Sequence, residues 1–147
     1  MLPADLPDAL RPQDLSVYLE VPATGVQIYR CEQNASEDWV WAHKGPDALL
    51  FDLAKTPIGK HYGGPTWEAH DGSKIVGAPK ASAQSPSGAI PWLLLDIKSR
   101  DGNGLFTPAR AILRIATTGG LAPQAAGEDQ AGREERVPYT ATYLFLK

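Results

Sequence analysis

The chain has 147 residues with 14 Lys plus Arg against 17 Asp plus Glu, a formal net charge of −3. Hydrophobic residues make up 43% and charged residues 21%, the mix of a soluble domain with a real core, which excludes wholesale disorder, a collagen-like repeat and a disulfide-dense miniprotein. Gly (14) and Pro (13) are both abundant, so the chain should turn often and build few long helices.

Residues 1–16 are rich in Pro and Asp and carry Leu2, Leu6, Leu10 and Leu15. Pro7 and Pro12 break any long helix. The segment reads as an arm lying across the domain, with one helical turn near Asp8–Leu10. Met1-Leu2-Pro3-Ala4-Asp5 lacks the basic and apolar regions of a signal peptide. The start therefore fits either a cytosolic chain or one beginning near a mature N-terminus behind an added Met.

Short β-like runs follow, separated by turn residues: Val17–Val21, Val26–Glu32, Trp39–Ala42, Ala48–Leu53 and Ile58–Tyr62. In the second, Gln27, Tyr29 and Cys31 share one face. Thr66–His70 and Lys74–Pro79 predict a hairpin closed by Asp71-Gly72 in a two-residue type I′ turn. Pro79–Gly88 reads as a loop and Pro91–Arg100 as a long strand. Phe106–Ala116 fits strand or helix, and Gly102-Asn103-Gly104 before it reads as a hairpin turn. Gly119–Arg136 is a long loop, of the length that marks functional or disordered segments. The last run, Tyr139–Lys147, puts Tyr139, Ala141, Tyr143 and Phe145 on one face. The expectation is one all-β domain over 17–147, a barrel or sandwich of about nine or ten mostly antiparallel strands.

The basic residues are scattered and form no stripe that could displace counterions from phosphates, so nucleic acid is not an expected partner. No apolar run approaches the roughly 18–20 residues of a membrane-spanning helix. Gly102-Asn103-Gly104-Leu105-Phe106-Thr107 begins like a dinucleotide fingerprint but ends in Thr, with no helix opening behind it. A P-loop and a G-x-S-x-G nucleophile elbow are both missing. Cys31 is the single cysteine, so no intrachain disulfide can form; it reads as a small buried hydrophobe.

The densest polar cluster is His61-Tyr62-Gly63-Gly64-Pro65-Thr66-Trp67-Glu68-Ala69-His70-Asp71-Gly72-Ser73. Three uses compete with a purely structural one. Trp67 and His61 can present a ligand face with Tyr62 and Glu68, walled by Trp92 and Tyr139. Glu68 can pair with His61 or His70 as an acid–base couple for a small-substrate hydrolase or isomerase. His61, His70 or His43 can ligate a metal, although no local spacing supports such a site. Aromatic residues on strands more often pack than bind.

Several segments together resemble the DUF3455 family. They are Gly25-Val26-Gln27-Ile28-Tyr29-Arg30-Cys31, Gly59-Lys60-His61-Tyr62-Gly63-Gly64-Pro65-Thr66-Trp67-Glu68-Ala69, Ile90-Pro91-Trp92-Leu93-Leu94-Leu95, Thr117-Thr118-Gly119-Gly120-Leu121-Ala122-Pro123 and Val137-Pro138-Tyr139-Thr140-Ala141-Thr142-Tyr143. The resemblance runs in order from about Val17 to Lys147. It implies an exported protein, periplasmic or secreted, of unknown function. Some fungal members carry a malate-dehydrogenase label, but the residues here give NAD-dependent chemistry no support, and no cofactor is expected. Relatives often have a second Cys after the T-x-G-G-x-A-P stretch; here Pro123-Gln124-Ala125-Ala126-Gly127-Glu128-Asp129 has none, and this loop is expected to be looser than theirs. The expected function is non-enzymatic: a binding or structural module for a small molecule or a protein.

Overall fold

The computed structural model describes residues 2–147. A 3-10 turn at Asp8–Leu10 precedes eight strands: β1 (Val17–Gln33), β2 (Trp39–Phe51), β3 (Pro57–Tyr62), β4 (Thr66–Ala69), β5 (Lys74–Ala83), β6 (Trp92–Asp101), β7 (Ala111–Gly119) and β8 (Glu134–Leu146). Every strand pairs antiparallel with its sequence neighbour, and β1 also pairs with β8 from Val17 opposite Leu146 to Arg30 opposite Glu134. The sheet closes on itself as an up-and-down barrel, and closure leaves no free edge to aggregate.

Eight strands replace the expected nine or ten because two pairs of runs are continuous. Pro22 and Gly25 do not end β1, and Gly45-Pro46 does not end β2. Gly25 is small for a different reason from a turn glycine: a Cβ there would meet the Asp47 carbonyl oxygen at 2.2 Å. In β2, Ile28 pairs with Gly45 and Tyr29 with His43, so Lys44 is the extra residue of a bulge. Gly45 takes φ +126° there. β5 also runs past the expected end at Pro79, through a second bulge between Pro79 and Ala81.

The hairpin between β4 and β5 turns differently from the type I′ expectation. Of Asp71 and Gly72, only Gly72 has positive φ, +91°. The Gly72 amide donates to the Ala69 carbonyl (3.0 Å) and the Ala69 amide to the Ser73 carbonyl (2.8 Å). That is a three-residue connection, a tight turn followed by a left-handed glycine bulge.

Two apolar layers hold the barrel. Inside lie Val21, Leu50, Trp67, Ile75, Leu95, Ile112, Tyr139, Tyr143 and Phe145. Outside, Leu6 and Leu10 of the arm cover Trp92, Leu94, Leu113, Leu144 and Leu146 of β6–β8. Arg11 fixes the arm by donating to the carbonyls of Leu6 (3.0 Å) and Pro3 (2.9 Å). Because the arm buries the outer face, Ile112 and Leu113 are both apolar and both 0% exposed. Two-sided burial erases the alternation that would have separated strand from helix in Phe106–Ala116.

One end of the barrel is closed. The β6–β7 loop folds Phe106 inward, where it stacks on Phe145 with centroids 4.6 Å apart. The Asp71 carboxylate clamps this loop, accepting from the Ser73 amide (2.8 Å), the Ser73 hydroxyl (2.6 Å) and the Leu105 amide (2.8 Å). These three donors hold its acid below the ordinary range.

Candidate functional site

The opposite end is open. A cavity of about 460 Å³ enters the barrel there, lined by residues from all eight strands. That volume lies in the range of small-molecule sites. Its walls combine Trp67, Leu93, Leu95 and Tyr143 with the polar groups Gln27, His43, His61 and Arg114.

Register places these groups. His61 pairs with Trp67 across β3 and β4, and cross-strand partners share a face. The imidazole stacks on the indole at 4.3 Å and 19°. It donates from Nδ1 to the Thr66 carbonyl, 2.8 Å away, so Nε2 is left as an acceptor. Burial lowers the His61 pKa to about 3; the Thr66 carbonyl opposes the shift and the Arg114 charge reinforces it. The ring is neutral at physiological pH.

Leu93, Arg114 and Tyr143 form one cross-strand row over β6, β7 and β8. Arg114 follows Ile112 on the inner face, and its Nε and Nη2 donate to the Pro91 carbonyl at 3.0 and 2.8 Å. The Tyr143 hydroxyl lies 3.1 Å from that of Tyr139. Both phenols are pushed up, chiefly by burial. His43 Nε2 donates to Gln27 Oε1 at 2.5 Å, and burial holds the His43 pKa below its usual value. Gln27 Nε2 and Trp67 Nε1 are buried without an acceptor among the described residues.

The six residues singled out in the sequence separate in space. His61 and Trp67 line the cavity, and Tyr139 reaches it only through its hydroxyl contact with Tyr143. Tyr62 and Glu68 are on the outer surface, where the phenol donates to the carboxylate at 2.6 Å. That bond lowers the Glu68 acid and raises Tyr62 to about 12. Trp92 also faces outward, under the arm. A Glu68–His61 acid–base couple is therefore not assembled: the strand that turns Trp67 inward turns Glu68 outward. His70 lies beyond the end of β4, its amide on the Ile58 carbonyl, at the closed end. The three histidines do not converge, and no group of three or more His, Cys, Asp or Glu side chains able to hold a metal occurs among the described residues.

Gln27 and Arg114 were missed as site residues. Both left a trace: Gln27 alternates with Tyr29 and Cys31, and Arg114 is the lone charge in Ala111–Gly119. The loop after β7 is anchored near this open end by three side chains of the β1–β2 hairpin. Tyr29 hydroxyl donates to the Gly120 carbonyl, Trp41 Nε1 to Ala125 (2.7 Å) and Cys31 Sγ to Gly127 (3.6 Å).

Fold and site together define a small closed β-barrel with one sealed end and one polar–aromatic mouth. The chain belongs to the DUF3455 family, described as a protein of unknown function, whose model matches residues 12–147. No curated protein and no solved structure matches it. Among the described residues, no helix is long and apolar enough to cross a membrane.

Proposed function

We propose that this chain is a non-enzymatic, extracytoplasmic binding module that takes a small molecule into the open end of its barrel. The observation that carries this reading is the cavity of about 460 Å³, sealed below by Phe106 and walled by rigid strands rather than loops. Sites built on strands hold their geometry without paying to order a loop. The lining has no Ser, Thr, Cys, Asp or Glu, so it offers neither a hydroxyl or thiol nucleophile of those types nor a carboxylate base, and His61 stands without a carboxylate partner. The extracytoplasmic setting rests on the family resemblance alone.

A thermal-shift screen of untagged protein against small acids, sugars, aromatic compounds and metal ions tests the reading. A ligand at a hundredfold excess over Kd adds about 2.7 kcal/mol. The hits should vanish in Leu93→Trp, which fills the mouth from its half-buried wall. A folded protein that no compound stabilises, or hits that Leu93→Trp leaves intact, refutes the assignment.

A further inference from the structure

The mouth contains a cation without a counter-ion. Arg114 points to the inner face, between Leu93 and Tyr143. Two of its nitrogens share one carbonyl, that of Pro91, and its remaining neighbour is the neutral Tyr143 hydroxyl, so no protein anion meets the guanidinium. The chain forms six ion pairs among its described residues, and none includes Arg114. No Asp or Glu lines the cavity, and the other cation at its rim, Lys44, is held by Glu32 at 2.9 Å. This is a local positive field inside a chain of net charge −3.

Arg114 is partly buried, so its charge is less well hydrated than a surface arginine's yet remains within reach of an anion entering the mouth. Arg114 is also the charged side chain that lowers the pKa of both His43 and His61, so its field reaches across the mouth. Around it the cavity walls are apolar: Leu93, Leu95, Pro79 and the Trp67 indole. In the same lining Gln27 holds a buried amide N–H without an acceptor among the described residues.

We propose that the mouth recognises a small organic acid, its carboxylate received by Arg114 and its apolar body lying against Leu93 and Leu95. The guanidinium supplies a charge-assisted hydrogen bond. The Gln27 amide and the Trp67 indole N–H are uncommitted polar groups of the same lining that can add selectivity. This deepens the binding reading above and rests on it.

Matched acids and amides separate charge from shape. Hexanoate with hexanamide, and benzoate with benzamide, are titrated into 15N-labelled protein and followed by amide chemical shifts. The acids are expected to bind roughly tenfold or more tighter than their amides, about 1.4 kcal/mol. Arg114→Gln should bring acid and amide to parity while leaving amide binding in place; Lys44→Gln should keep the preference. Equal affinities in the unmodified protein overturn the anion assignment and leave the binding reading standing. A preference that survives Arg114→Gln removes Arg114 from the role. Binding by none of the four probes overturns the organic-acid inference, while the wider screen judges the binding reading separately. Should Arg114→Gln fail to fold, Arg114→Lys decides with the same probes: it should retain an acid preference, and equal binding of acids and amides by that variant would refute the role.

Discussion

His61 is a buried base that the unfolded chain protonates and the folded barrel does not. The unfolded imidazole titrates near 6.5 and the folded one near 3. Between those values the unfolded state binds more protons, so stability is complete above about 6.5 and falls as the pH drops toward 3. At pH 4.5, two units below the unfolded value, the loss is about 2.7 kcal/mol at ~1.4 kcal/mol per unit. For a domain of this length that corresponds to roughly 8 °C in Tm. His61→Phe keeps a ring on Trp67 and has no proton to gain. Its Tm at pH 7.5 falls because the Thr66 carbonyl loses its donor, but its further loss on going to pH 4.5 should be smaller than that of the unmodified protein by roughly 8 °C. Carboxylates such as Glu68 and Asp71 titrate in both proteins, so the difference isolates the imidazole. The assay is a pair of thermal melts across pH 7.5 to 4.5, with the His61 ring nitrogens observed by NMR. Parallel melting curves, or an imidazolium signal at pH 5.5 in folded protein, would refute the reasoning.

Other substitutions probe the parts that frame the mouth. Leu10→Ala removes a fully buried contact of the arm and should cost about 2–5 kcal/mol by chemical denaturation; a value under 1 would mean that the arm does not stabilise the barrel. Phe106→Ala should cost about 3–5 kcal/mol and open the sealed end to solvent, which an apolar dye would report. Gly25→Ala should destabilise by about 1–3 kcal/mol because its methyl meets the β2 backbone; an unchanged denaturation midpoint would contradict the close approach. Trp92→Phe deletes a buried N–H that has no acceptor, so it should cost less than about 1.5 kcal/mol despite its burial.

Much of the barrel was written locally. Alternation in Val26–Glu32 and in Tyr139–Lys147 sorted the residues into two faces; the structure buries Gln27, Tyr29 and Cys31 in the first and turns Tyr139, Ala141, Tyr143 and Phe145 inward in the second. The helical turn at Asp8–Leu10 followed from Pro7 and Pro12. Alternation failed where burial is two-sided, in Ile112-Leu113, and where glycine and proline serve a close crossing or a bulge rather than a turn, at Gly25 and Gly45-Pro46.

The site divides in the same way. His61 and Trp67 were visible as an aromatic–imidazole pair within a few residues of each other, since a tight hairpin makes them cross-strand partners. Sequence proximity also suggested Glu68, which the pleat sends to the opposite surface. Gln27, Arg114 and Tyr143 meet only because β1 closes against β8 and β8 against β7. Composition and alternation determined an all-β domain and which residues share a strand face. Strand closure, which joins residues more than a hundred positions apart, decided that it is a barrel with one end sealed and a cation in the other. Period-two patterning records which face of a strand is dry; it carries no record of which strand lies beside it.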